Sequence, residues 1–379
     1  MEQVWIRSPH AKASGFVPSL AIWIGLLANL LMMVGGIWDV SWHRTSGRES
    51  FWSPPHFVMY SGVIMMGLVC VVVTLRATLG QRTAASREAY AILHPPSSIL
   101  ALWGLRAQLG FAIAGFGVLG VLLSAPFDEW WHRMFGIDVT IWSPPHLFAI
   151  AAAAVIRVGM IVALVQEMRA VGQGRVGQSP QLSWRGTSVA EWVLLLLFSL
   201  FMGNLTFALG QYDYLAESRD PLLYPILASV AGPVALVAGV RTLGRVGAAT
   251  VIVLLLMARR ELISGALLAT GFIPPSAAPL YLLPAIGIDV WLWISCRAPE
   301  SAWRNVAAGI LFAWIFVGTE YGYTAYLTGK VWPIQPLALS EPLACVAGAA
   351  SAWAGYHLAR WLPGHMGPAG VTVREESYT

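Results

Sequence analysis

Six side chains write one arrangement twice. Asp39 and His43 stand in Asp39-Val-Ser-Trp42-His43-Arg44, and His56 closes Trp52-Ser53-Pro54-Pro55-His56. Asp128 and His132 stand in Asp128-x-x-Trp131-His132-Arg133, and His146 closes Trp142-Ser143-Pro144-Pro145-His146. Twelve residues separate the two histidines in the first copy and thirteen in the second, and an acid, Glu49 or Asp138, falls six residues after the first His in each. One carboxylate and two imidazoles without sulfur form a donor set for Cu, Zn or Fe with coordination positions left open. Glu49, Glu129 and Asp138 are candidates to orient the imidazole N–H groups from outside that set.

The elements that must position these groups follow from the spacing. Residues four apart share a helix face, so Asp39 and His43 converge, as do Asp128 and His132. Ser-Pro-Pro fits a helix start, with Ser as the cap and Pro in the first turn, which puts His56 and His146 near the N-terminus of the following helix. Each copy is therefore predicted to be a helical hairpin whose connecting loop carries the chemistry, over about 20–79 and 108–166. The copies are offset by 89 residues at Asp39/Asp128 and His43/His132 and by 90 at His56/His146. Duplication with one inserted residue accounts for both offsets, and paired hairpins are familiar in membrane folds.

The chain around them is apolar. Of 379 residues 57% are hydrophobic and 11% charged, and the mean hydropathy of +0.65 excludes an ordinary water-facing surface. An all-α, polytopic membrane bundle is expected. Apolar runs near 17–38, 56–79, 108–126, 145–166, 189–211, 222–240, 246–270, 279–296, 304–327 and 342–361 give about ten spans by length. Residues 1–180 hold the duplicated hairpins; residues 181–379 carry no third copy and read as a second bundle. The run after Arg7 and Lys12 leads straight into the first motif and reads as a retained helix. Cys70, Cys296 and Cys345 are isolated and read as packing residues.

The net charge of +4 resides in alternate loops, at Arg76, Arg82, Arg87 and Arg106, at Arg169, Arg175 and Arg185, and at Arg241 and Arg245. That is a topology signal, and no nucleic-acid partner is expected. It puts both termini in the cytoplasm and both motifs on the extracytoplasmic side of a membrane, here expected to be a bacterial inner membrane.

The motif wording resembles the C subunit of the copper membrane monooxygenases, the particulate methane and ammonia monooxygenase family. Asp-x3-His-x12-His followed by an acid or amide-x3-His-x13-His matches that pattern in both copies. Asp39-Val-Ser-Trp42-His43-Arg44 is similar to the family's Asp-x-x-Trp-His-Gln, Ser53-Pro54-Pro55-His56 to its Thr-Pro-Ser-His, and Asp128-Glu129-x-x-His132 to its Asn-Glu-x-x-His. The resemblance covers about residues 20–165. It implies one copper site at Asp39, His43 and His56 and a neighbouring one at Asp128, His132 and His146. The chain departs from the pattern in carrying Asp128 where the family has Asn, in continuing through a further bundle, and in lacking a copper-binding soluble domain.

The resemblance implies a copper-dependent membrane oxidoreductase that hydroxylates a small apolar substrate with O2, with electrons from a quinol or a periplasmic donor. Zinc or iron remain open as the metal, and partner subunits or a homo-oligomer as the assembly. Three other readings stay open: a metal-binding transporter or metal-handling membrane protein, a bis-imidazole haem protein, and a non-catalytic subunit. No Gly-x-Ser-x-Gly elbow or His-Glu-x-x-His occurs, so hydrolytic chemistry of those kinds has no support.

Among lesser signals, Arg259, Arg260 and Glu261 interrupt the seventh apolar run. They read either as an internal ion pair lining a path or as a helix end. Asp289, Glu320 and Tyr321-x-Tyr323-x-x-Tyr326 read as a cavity lining or an outer rim. The flanking Trp42, Trp52, Trp130, Trp131 and Trp142 suit either a shield for the site or an interfacial belt.

Overall fold

The computed structural model describes residues 17–46, 52–79, 99–102, 104–136, 141–172, 183–184, 187–209, 219–275, 279–295 and 301–364. Glu49 and Asp138 lie outside them, as do Cys296, His10, His94 and His365.

The chain is an all-α polytopic bundle. In order the helices are α1 (Leu20–Ser46), α2 (Pro54–Leu79), α3 (Leu109–Phe135), α4 (Pro144–Gly172), α5 (Val189–Leu205), α6 (Leu223–Leu243), α7 (Ala248–Ala269), α8 (Leu282–Ile294), α9 (Ala302–Thr328) and α10 (Ile334–Gly364). Two small antiparallel ladders, Ile99–Leu102 with Leu105–Gln108 and Ser183–Trp184 with Thr187–Ser188, join α2 to α3 and precede α5.

Eight of the helices are long and apolar enough to cross a membrane, so the protein is integral to a membrane. The expected spans at 246–270 and 279–296 are the two that fall short. The first becomes α7, unbroken to Ala269 but carrying Arg259, Arg260 and Glu261. The second becomes α8, only 13 residues long where about 20 are needed. Because α7 continues through its charges, the helix-end reading of that triplet is overturned. Glu261 is exposed, and Arg259 donates to the Ser199 hydroxyl and carbonyl at 3.3 and 3.2 Å.

Small residues set the crossing of each motif hairpin. A Cβ added at Gly62 on α2 would lie 2.5 Å from the Ala28 carbonyl of α1, and one at Gly117 on α3 would lie 2.7 Å from the Ala152 carbonyl of α4. By the offsets of 89 and 90, Ala28 corresponds to Gly117 and Gly62 to Ala152. Both hairpins thus cross at the same pair of positions, with the glycine on opposite helices. In a membrane, where helices gain little hydrophobic attraction for one another, such close backbone approach supplies the dispersion contact that holds a pair.

Three polar ties fix the hairpins and the second bundle. The Ser19 N–H and hydroxyl bind Glu167 of α4 at 3.0 and 2.6 Å, which caps α1 from a neighbouring helix. Asp289 of α8 does the same for α7, accepting from the Thr250 N–H at 2.8 Å and its hydroxyl at 2.6 Å. It is a cap and not a cavity wall. Glu320 of α9 is fully buried against the Arg219 guanidinium and accepts the Leu280 N–H at 3.0 Å. The tyrosines divide, since Tyr323 lies under the Arg219 guanidinium at 5.5 Å while Tyr326 is exposed at the rim.

Candidate metal centre

The two motif hairpins put five of their six predicted ligands, Asp39, His43, His56, Asp128 and His146, on the wall of one cavity, with His132 buried behind Asp128. In the first cluster His43 Nε2 lies 3.5 Å from Asp39 Oδ2, and His56 Nε2 lies 3.2 Å from Asp39 Oδ1. In the second, His132 Nε2 and His146 Nε2 lie 3.1 and 3.3 Å from the same oxygen, Asp128 Oδ1. In each, one helix end supplies the Asp and first His and the next helix start supplies the second His.

Proline does most of the work at those helix starts. The α2 and α4 ladders open with Phe57 N–H to Ser53 O at 3.2 Å and Leu147 N–H to Ser143 O at 3.0 Å. The Ser53 and Ser143 hydroxyls are buried and cap nothing among the described residues, contrary to the capping expected from sequence. Two prolines in the first turn remove two of the helix's unpaired N–H groups, including the N2 group that a side-chain cap would satisfy. His56 and His146 are therefore fixed by proline geometry.

The donor chemistry fits a metal. Asp39 Oδ1 is buried and, although His56 Nε2 is 3.2 Å away, receives no well-aligned hydrogen bond among the described residues. A buried carboxylate oxygen without an aligned donor is costly in a low-dielectric site and is what a cation would satisfy. In the second cluster one atom from each of Asp128, His132 and His146 lies within 4.8 Å of the others. His132 Nδ1 lies 3.3 Å from the Gly136 carbonyl. A proton on Nδ1 leaves Nε2 as the free ligand atom.

Both clusters open onto a cavity of about 410 Å³. Its walls between the clusters are largely apolar, with Met32, Met59, Val121 and Ala149 among them. Tyr60, one helical turn after His56, lies within electrostatic reach of both Asp39 and Asp128, with its ring 6.0 Å from that of His56. The second bundle closes the far wall through Asn204 and Phe207, and Asn204 donates to the Ile150 carbonyl of α4 at 2.9 Å. Phe272, beyond α7, stacks on Trp42 at 5.5 Å, and the Ile273 N–H binds the Thr45 hydroxyl at 2.9 Å. The second bundle thereby seals the end of α1 beside the first cluster.

Of the residues expected to support the ligands, Glu129 turns away. Its carboxylate accepts from Arg133 at 2.9 Å on an exposed face. The tryptophans split between roles: Trp42 is half-buried under Phe272, whereas Trp52 and Trp130 are exposed as an interfacial belt requires.

Sequence reasoning missed Tyr60, Asn204 and Arg157, all of which line the cavity. Only Arg157 gave a signal, as a lone cation in the middle of the fourth apolar run. Compared with protein-family models, curated proteins and solved structures, the chain finds a match in none of the three.

Proposed function

We propose that the protein is a membrane-embedded, copper-dependent oxidoreductase that hydroxylates a small substrate with O2 in the cavity between the two clusters. The observation that carries this reading is the doubled geometry. Twice, two imidazole Nε2 atoms lie within 3.5 Å of one Asp carboxylate, and both sets open onto one cavity. Asp39, His43 and His56 would hold one ion, and Asp128, His132 and His146 the other. Copper, when bound, would supply the redox chemistry for O2.

The chain's own groups have definable tasks. The Asp carboxylates offset the charge of the cations. The Gly136 carbonyl holds the His132 ring, and Tyr60 offers a phenol proton within reach of both clusters. The apolar walls between the clusters lower the local dielectric, which strengthens each electrostatic contact beside them. The sequence carries no flavin or nicotinamide motif, so electrons would come from a quinol or a periplasmic donor, with the clusters at the extracytoplasmic ends of their helices in a bacterial inner membrane. A haem is a poorer fit. In each pair both Nε2 atoms face one Asp carboxylate, whereas a haem iron needs its two imidazoles on opposite faces of a flat ring.

Metal analysis of the purified protein tests the assignment. The wild type is expected to hold copper, and His43→Ala/His132→Ala to hold none. Unaltered copper in the double variant would end the proposal. Oxygen consumption with a quinol, set against cation uptake into vesicles, separates the oxidoreductase from a transporter.

A further inference from the structure

Arg157 of α4 is a cation inside the membrane bundle with no acidic partner among the described residues. It is 2% exposed and lines the same cavity as the two clusters. Its Nη1 donates to the Ala153 carbonyl one turn back at 2.8 Å, and its Nε is buried without a hydrogen-bond partner among the described residues. No carboxylate among the described residues pairs with it; the charge that acts on it is a second cation, Arg259. Arg259 is itself held by Ser199, and at Gly203 any Cβ would lie 2.6 Å from its Nη2, so that glycine makes room for the guanidinium. Arg259 lines a recess of about 60 Å³ that shares Met33, Val40, Ile141 and Phe207 with the main cavity.

A buried, uncompensated guanidinium is expensive, and in a membrane protein it marks a ligand or ion path by default. The duplication sharpens the point. By the offset of 90 the counterpart of Arg157 in the first hairpin is Gly67, so the hairpin fold itself does not call for an arginine there.

We propose that the cavity binds an organic carboxylate whose charged head seats on Arg157 and whose apolar body points back toward the two clusters. Geometry favours this over an inorganic anion. The Arg157 backbone lies about 16 Å along α4 from His146 at 1.5 Å per residue. Because its side chain reaches back to the level of Ala153, the guanidinium stands roughly 10 Å below the histidine. An extended chain of about six carbons is about 6 Å long at roughly 1.3 Å per bond, which with a contact distance at each end fits a gap of that order between them. The cavity is within the ordinary size range of small-molecule sites and far larger than a halide needs. A planar guanidinium matches a carboxylate through paired N–H donors. As a statement about the oxidised substrate this rests on the copper reading; as a statement about binding it rests on Arg157.

Hexanoate is the probe, added to the purified full-length protein in nanodiscs. Saturable binding is expected in the wild type, in Arg157→Lys, and in the copper-free His43→Ala/His132→Ala protein. Affinity should fall at least about tenfold in Arg157→Gln. Neither 1-hexanol nor chloride should displace hexanoate at matched concentration. Equal hexanoate affinity in a folded Arg157→Gln protein would overturn the proposal. Displacement by 1-hexanol would overturn it too, since the charge would then not matter, and displacement by chloride would assign the site to a small inorganic anion. If Arg157→Gln fails to fold, as loss of its helical circular-dichroism signal and of a single size-exclusion peak would reveal, the two displacement experiments on the wild type decide alone. Hexanoate binding by a wild type without copper would end the copper reading and leave the anion site standing; copper without hexanoate binding would do the reverse.

Discussion

The two clusters share ligands and spacing, yet one is gathered and the other is splayed. In the second, both histidines address a single oxygen of Asp128, and the three ligand atoms already lie within 4.8 Å of one another. In the first, His43 and His56 address different oxygens of Asp39, so the imidazoles are held farther round the carboxylate. Support differs as well. His132 Nδ1 faces the Gly136 carbonyl, while His43 Nδ1 is buried with no partner among the described residues; the residue that corresponds to Gly136 is Gly47, outside them. A ligand set that is pre-gathered loses less freedom on binding a cation. The second cluster is therefore expected to be the tighter site and the first the more adaptable one.

The largest effect that tests this comparison is ligand deletion, one cluster at a time. Removing an outer partner of a ligand already costs about 10–100-fold in metal affinity, so His132→Ala and His43→Ala should each lose more than about 100-fold at their own site. Copper titration of the two single variants reads the order. His43→Ala should retain the tighter binding phase and His132→Ala the weaker one. The reverse order would show that gathering in the metal-free state does not set affinity.

The two side-chain clusters were legible in the sequence because their geometry is local. Asp39 with His43 and Asp128 with His132 need only the four-residue helix repeat, and His56 and His146 need only proline at a helix start. The cavity was not legible, because its other walls come from far away in the chain. Asn204 reaches the Ile150 carbonyl across 54 residues, and Thr45 meets Ile273 across 228. Apolar run length located eight spans correctly but could not tell that α8 would be only 13 residues long, nor that Asp289 would be consumed as a cap for α7. Glu320 has the same lesson. Its partner Arg219 is 101 residues away, in a connection whose role no periodicity reports.

The glycine exchange at the hairpin crossings offers the next largest effect. Gly62→Ala places a Cβ against the Ala28 carbonyl and should destabilise the protein by about 1–3 kcal/mol, the usual range for overpacking. Ala28→Gly alone should cost no more than about 1 kcal/mol from helix propensity. The double variant writes the second hairpin's arrangement into the first. Thermal unfolding is expected to show it more stable than Gly62→Ala alone, with a coupling of at least about 0.5 kcal/mol. Strict additivity would mean that the two hairpins do not share one crossing geometry.

Tyr60 is a smaller and more specific asymmetry. Its counterpart in the second hairpin is Ile150, so one phenol serves a cavity with two clusters, and both carboxylates act on it. Tyr60→Phe keeps the ring and removes the hydroxyl. Copper affinity is expected to fall by at most about tenfold, within the range of outer-partner changes, and to fall at both sites. A change confined to the first site would assign Tyr60 to His56 alone, its neighbour one turn away.

The smallest expected effect comes from the carboxylate beside a ligand. Glu129 follows Asp128 directly, and on a helix adjacent side chains diverge by about 100°. Asp128 faces the cavity, while Glu129 is left on the outer face with Arg133. An exposed pair four residues apart contributes only about 0.3–0.5 kcal/mol, and screening by salt removes part of that. Glu129→Gln should therefore shift the unfolding midpoint marginally and leave copper content and affinity unchanged, while Asp128→Asn, one residue away, should weaken the second site. A loss of copper in Glu129→Gln comparable to that in Asp128→Asn would mean that the Arg133 pair opens when the ion binds and that the second cluster recruits a carboxylate from outside the cavity.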